Sequence, residues 1–274
     1  MRNLLAGPWL AAWKLARVVL PGGFRILLFH DIPLSQREAL ARLAGELAQS
    51  RRLIDPAEAA RLLAGAPLPP GPPPVLLSFD DGFASNLDVA ETILAPLGAR
   101  ALFFVCPGLM DLDGAAQSAA IAGQILQGRR AAPEPLMGWD AVERLKALGH
   151  TIGSHTLDHR RLAGLAGDQL AEQIGGAAEA LAARLGGPVE WFAYTFGAVG
   201  DIDAAALAEI GRWHRFCRSG VRGGNSSATP PLALRADHVD LAAGEDWRRL
   251  AVEGGLDPLY RSGRRSLDAM AKPR

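Results

Sequence analysis

Short apolar runs of four to six residues recur along this chain between helical patterns, and that alternation limits its fold more than any other feature. The runs fall at 24–29 (FRILLF), 75–79 (VLLSF), 100–105 (RALFFV), 151–154 (TIGS), 190–194 (EWFAY), 215–219 (RFCRS) and 232–235 (LALR). Strand-length runs separated by helices read as βαβ units around a parallel sheet. Seven of them are one short of the usual eight-stranded α/β barrel, a fold that could use all 274 residues. With 49% apolar residues a large core is available, and global disorder is excluded. The 29 basic residues balance the 29 acidic ones, so nothing global points to nucleic acid or to an acidic polymer. The two cysteines, Cys106 and Cys217, exclude a disulfide scaffold but leave one bridge open; Cys106 closes ALFFVC and reads as a buried thiol.

Helix ends are marked by polar residues. Asp140 with Glu143 reads as a capping box, Asp168 and Asp203 as caps of two later helices, and Gly186-Gly187 as a stop. The first 22 residues form an amphipathic segment that lacks the features of a signal peptide and is too short and too charged to span a bilayer. A helix there would put Lys14 and Arg17 on one face and Trp9, Trp13 and Leu20 on another. Residues 4–20 are therefore a candidate for peripheral membrane contact, with a helix packed on the domain as the alternative. APLPPGPPP, 66–74, is a stiff spacer feeding the second strand, and Cys106-Pro107 is expected to shape a pocket wall. The expected division is 1–22 amphipathic segment, 23–245 barrel and 246–274 basic extension, whose tail reads as a solvated end.

The residues after the strands carry the functional signal. His30-Asp31 follow the first run, Asp80-Asp81 the second, His155 and His159 the fourth, and Tyr194-Thr195-Phe196-Gly197 the fifth, while Asp237-His238 come just past the seventh. In a parallel barrel these ends share one rim, the usual place for chemistry. Two adjacent aspartates repel each other unless water or a cation separates them. Two histidines and one carboxylate, Asp81, would leave coordination positions open for water and substrate, as in hydrolytic metal sites. Asp80 could then take protons, and Gly82 permits the sharp turn. A glycosidase carboxylate pair fits poorly, because Asp80 and Asp81 are too close in sequence to flank a sugar from opposite sides.

LLSFDDGF, IGSHTLDH and FAYTFG, in this order, resemble the first three motifs of the polysaccharide deacetylases (NodB homology, carbohydrate esterase family 4), and the likeness runs from residue 26 to about 240. The resemblance implies a distorted seven-stranded (β/α) barrel of the glycoside hydrolase/deacetylase type. It implies Asp81, His155 and His159 as ligands of a divalent metal ion, usually zinc, with Asp80 as general base. Phe196 would supply an oxyanion N–H within the Tyr194-Thr195-Phe196 motif, and the substrate would be an N-acetylated sugar. His30 is expected to line the pocket, because FHDI resembles the opening of related bacterial members. The chain departs from the pattern at Thr195, where a proline is usual, and at Trp191-Phe192, where some members carry the arginine that steadies the base. Arg235 is the expected substitute for that arginine, and His238 the candidate general acid. These implications describe a metal-dependent hydrolase removing N-acetyl or O-acetyl groups from an amino-sugar polymer or glycolipid precursor. Separately, the amphipathic start suggests a cytoplasmic protein with the inner membrane surface as a candidate site of association. The alternative is a catalytically silent carbohydrate-binding member.

Overall fold

Successive side chains of a β-strand face opposite ways, and here both faces are covered. In β1 (Arg25–Phe29), β2 (Val75–Phe79) and β3 (Leu102–Val105), one set of residues, Leu27, Phe29, Leu77, Phe79, Phe103 and Val105, packs with helical residues such as Leu40, Ala44, Val142 and Leu145. The alternate set, Ile26, Leu28, Leu76, Leu102 and Phe104, meets Trp191 and Phe216 in a second cluster, with Ala59 and Leu62 of the helix Pro56–Leu63. The rings of Phe29, Phe79 and Phe103 stack across three strands at 5.4 and 4.9 Å. This computed structural model describes residues 2–17, 23–128 and 135–272.

The remaining strands are β4 (Thr151–Ser154), β5 (Trp191–Ala193), β6 (Phe216–Arg218) and β7 (Asp237–His238). The sheet order is β6-β5-β4-β3-β2-β1-β7, every pair parallel. Among the described residues the β6 edge meets the segment before β7 at an isolated bridge from Arg218 to Leu234, and no ladder joins the two edge strands, so the sheet curls into a half-barrel. The seventh strand lies later than the run at 232–235 suggests. Pro231–Ala233 form a short 3₁₀ helix and Asp237–His238 make the ladder to β1. Pro230 and Pro231 have no N–H to offer a ladder, and Leu234 instead bonds β6, its N–H donating to the Cys217 carbonyl at 2.9 Å.

Two helix starts also differ from expectation. The helix Trp139–Ala147 is capped by Gly138 with no side-chain bond, and Asp140 sits inside its first turn. Asp168 is likewise the first helical residue after Gly167, where its charge favours the helix dipole instead of capping. Asp203 does cap, accepting from the Ala206 N–H at 2.9 Å, and Gly186 at φ 74° ends Ala177–Leu185.

The helices Arg2–Arg17 and Arg261–Met270 lie against the barrel. In the helix Arg2–Arg17, Ala6 and Leu10 pack on Leu250, and the Trp9 and Trp13 indoles donate to the carbonyls of Gly255 (2.8 Å) and Glu253 (2.7 Å). Lys14 and Arg17 lie in this helix, but their side chains, and Leu20 altogether, fall outside what is described, and with them the expected charged face. No described helix is long and apolar enough to cross a membrane. The tail is not a solvated end: the helix Arg261–Met270 buries Leu267 and ties Asp268 to Arg235. Arg25, buried in β1, pairs with Asp237 of β7 (2.7 Å) and Asp257 (2.8 Å), which pins the last strand and the C-terminal segment together.

His150 and His214 are structural, as their positions beside elements suggest. His150 Nδ1 accepts from the Ala101 N–H at 3.1 Å, and His214 Nδ1–H donates to the Val189 carbonyl at 2.9 Å. Burial lowers both rings to about 4, helped at His150 by the Arg100 charge and opposed at His214 by the Val189 bond. The unfolded chain therefore binds more protons between pH 6.5 and 4, so these rings support stability fully above pH 6.5 and progressively less as pH falls. The loss should approach on the order of 3 kcal/mol per ring near pH 4. Urea midpoints measured at pH 7.5, 6 and 5 should fall accordingly, and His214→Asn should flatten the decline; an unchanged slope would contradict this.

Candidate active site

The rim at the C-terminal ends of the strands assembles the titratable residues. His30, Asp80, Asp81, His155, His159, Tyr194, Phe196 and His238 all line one cavity of about 850 Å³. Thr195 and Arg235 do not. Several of these side chains are aimed by backbone that L-residues rarely adopt: Asp81 (φ 71°), His159 (φ 64°), Phe196 (φ 63°) and, beside His155, Thr156 (φ 67°). Each such residue costs roughly 1–3 kcal/mol and persists where its surroundings over-determine it. Gly82 continues the turn after Asp81 at φ 78°, and a Cβ there would press on Val105 and Met110.

Asp81, His155 and His159 are the one group of metal-ligand type found among the described residues, and all three are buried. One oxygen of Asp81 lies 3.3 Å from His155 Nε2 and 3.2 Å from His159 Nε2. The other ring nitrogens are engaged: His155 Nδ1–H donates to the Ala193 carbonyl at 2.6 Å and His159 Nδ1–H to the Gln124 carbonyl at 3.2 Å. That tautomer leaves an Nε2 lone pair on each ring facing a carboxylate oxygen, an arrangement that repels itself unless a cation stands between them. Without a cation, two imidazolium rings 5.1 Å apart would have to be buried side by side. Burial alone would raise the Asp81 carboxyl, but hydrogen bonding to both histidines outweighs it and holds Asp81 well below the carboxylate range. Burial likewise opposes charge on His155, yet Asp81 and Asp80 raise it above the usual histidine value. The centre favours positive charge, and its donor set fits a divalent ion.

Asp80 is held by Arg218, whose Nη2 lies 2.5 Å from both carboxylate oxygens, in a pair only 5% and 1% exposed. The Arg218 guanidinium also lies over Phe104 at 5.0 Å. Arg235 does not take this role. Asp237 is level with Leu27 in the β1 ladder, which leaves Arg235 near the opposite end of the barrel, where it pairs with Asp268. Arg218 instead pairs with Ala193, the last residue of β5, and so reaches the rim. One sequence signal was available for it: a charged residue ending the apolar stretch FCR must find a buried partner.

Around this centre, His238 faces His30 with ring centres 5.7 Å apart. Surrounding protein, His30 and Arg222 lower the His238 ring to about 4; its open edge lets water offset part of this, but it starts neutral at pH 7. Tyr194 donates its hydroxyl to the Gly197 carbonyl at 3.0 Å, and burial raises its pKa above the usual phenol value. Thr195 is fully buried behind the wall and donates to the Arg160 carbonyl at 2.7 Å. Arg161 and Asp201, which the sequence did not single out, pair on the cavity wall at 2.7 Å. Cys106 is buried and donates to the His155 carbonyl at 3.1 Å; it supports a ligand strand rather than forming a wall.

A curled parallel half-barrel with a carboxylate pair and two imidazoles on one rim is the architecture of the sugar deacetylase barrels. The polysaccharide deacetylase family model matches residues 68–212, a little over half of the 274, and the chain belongs to that family. No curated protein sequence matches it. The fold is similar to that of the deacetylase PplD from Streptococcus pyogenes, solved in complex with acetate (18% identity, TM-score 0.67, covering 84% of this chain and 97% of that one). It is also similar to IcaB from Ammonifex degensii (24%, 0.61, 86% and 98%) and to a de-N-acetylase from Aggregatibacter actinomycetemcomitans (15%, 0.63, 83% and 99%). At these identities the likeness is one of fold.

Proposed function

We propose that this protein is a metal-dependent hydrolase that removes N-acetyl groups from an amino-sugar polymer or glycolipid precursor, with zinc as the ion. The observation that carries this reading is the convergence of Asp81, His155 and His159 on one point beside an Asp80 locked by Arg218. Zinc suits two imidazoles and a carboxylate with positions left open, and when bound it would acidify a water and polarise a carbonyl oxygen.

The chain's own groups supply the rest. Asp80, on the cavity floor, removes the proton from the attacking water as its oxygen bonds to the acetyl carbon. The Phe196 N–H, on the wall, donates to the carbonyl oxygen as negative charge develops there. The C–N bond then breaks as the amine takes a proton, yielding acetate and a free amino sugar. Because His238 starts neutral, the proton held by Asp80 is the nearer source for that amine, with His238 as a hydrogen-bonding wall residue. A cavity of about 850 Å³ has room for more than one sugar unit, which favours oligomeric substrates over a free monosaccharide.

Zinc-loaded protein should release acetate from an N-acetylglucosamine oligomer. Asp80→Asn should keep its zinc yet lose on the order of 10²–10⁴-fold in turnover, as expected for loss of a general base. Zinc-loaded protein inert on every acetylated sugar tested would refute the hydrolase and favour a silent binding role. His238→Ala with turnover as low as Asp80→Asn would return the acid role to His238.

A further inference from the structure

The chain just past His159 runs beside the chain that carries Phe196, and contacts join the two at successive positions. The Thr195 hydroxyl donates to the Arg160 carbonyl at 2.7 Å, and the Arg161 guanidinium pairs with Asp201 at 2.7 Å. Farther along, the Ala163 N–H donates to the Asp201 carbonyl at 3.0 Å and the Gly164 N–H to the Asp203 carboxylate at 2.9 Å. Asp201 also accepts from the Ala198 N–H at 2.8 Å, which closes its own loop. Above this zipper Arg161 covers the Phe196 ring at 5.4 Å, and that ring meets His159 edge-on at 4.9 Å.

The zipper spans two unfavourable pieces of backbone. His159 and Phe196 both lie in the left-handed region, at φ 64° and 63°. At Phe196 the Gly197 N–H donates to the Thr195 carbonyl at 2.8 Å, closing a three-residue turn of the strained kind. That turn sets the direction of the Phe196 N–H, and the turn at His159 sets where its Nε2 points. The Phe196 conformation does not hold itself and needs neighbours that over-determine it, whereas the His159 ring is also fixed by Asp81 and the Gln124 carbonyl, each at 3.2 Å.

We infer that Thr195 and Arg161 are positioning residues: the 160–164 to 195–203 zipper holds the Phe196 N–H in fixed relation to the Asp81–His155–His159 centre, so that one acyl oxygen meets both. This rests on the deacetylase reading above. Thr195 is fully buried and lines no part of the cavity, so it acts through Phe196 and not on substrate. Misplacing a reacting group by about 1 Å costs on the order of 10²-fold in rate.

The test compares Thr195→Val, which removes the hydroxyl at nearly constant shape, with Thr195→Ser, which keeps it. Turnover and KM on an N-acetylglucosamine oligomer, zinc affinity, and amide hydrogen exchange in metal-free protein are measured for each. Thr195→Val should lose about 10–100-fold in kcat, with KM and zinc affinity within about threefold of wild type, since it touches neither ligand nor substrate. Amides of 160–164 and 195–201 should exchange faster, and Thr195→Ser should restore both properties. Wild-type turnover and exchange in Thr195→Val would overturn the inference. So would zinc loss in proportion to the rate loss, or failure of Thr195→Ser to rescue. If wild-type protein releases no acetate, the deacetylase reading fails and exchange alone judges the zipper: unchanged exchange in Thr195→Val sinks it, acceleration confined to the two segments supports it.

Discussion

Asp81→Asn protein should fold, bind zinc at least about 100-fold more weakly than wild type, and release acetate at least about 10⁴-fold more slowly, a loss of about 5.4 kcal/mol at 1.36 kcal/mol per decade. The substitution is isosteric, so the turn at φ 71° and the packing around it are kept while the charge is lost. What disappears is the negative charge facing the two Nε2 atoms at 3.2 and 3.3 Å, the feature that makes the centre favour a cation. The contrast with Asp80→Asn separates the neighbouring carboxylates, since that variant should keep its zinc and lose only turnover. Metal analysis beside acetate release decides between them. Asp81→Asn protein with stoichiometric zinc and wild-type turnover would remove the basis for the proposed chemistry.

Arg218→Met should destabilise the metal-free protein by roughly 3–5 kcal/mol, the range for removing one partner of a buried ion pair. The reason is Asp80: with its partner gone, a carboxylate only 5% exposed is left without its cation on the cavity floor. Combining Arg218→Met with Asp80→Asn should recover much of the loss, because no uncompensated charge then remains. Arg218→Lys should fall between wild type and Met, since an ammonium offers charge without the planar fork. Urea unfolding of wild type, Asp80→Asn, Arg218→Met and the double variant measures the cycle, with Arg218→Lys alongside. A single Arg218→Met variant as stable as wild type, or a double variant no more stable than the single, would show that the pair does not carry the weight assigned to it.

The sequence determined this much by itself: the parallel α/β class, six of the seven strands, and the metal-type triad. These are legible because they are local or patterned. Strand-length apolar runs follow from burial of both sheet faces, and ligands placed after strands fall on one rim by topology alone. Its capping and strand assignments near 140, 168 and 232 failed where a neighbouring glycine or proline outweighed the local pattern. Only the tertiary structure decided which arginine serves Asp80. Arg235 and Arg218 are similar in sequence setting, but ladder register puts one near the bottom of the barrel and the other at its rim. It also decided that Arg160 and Arg161 meet Thr195 and Asp201, because contacts 35 or more residues apart depend on how β4 and β5 lie side by side, which no local pattern encodes.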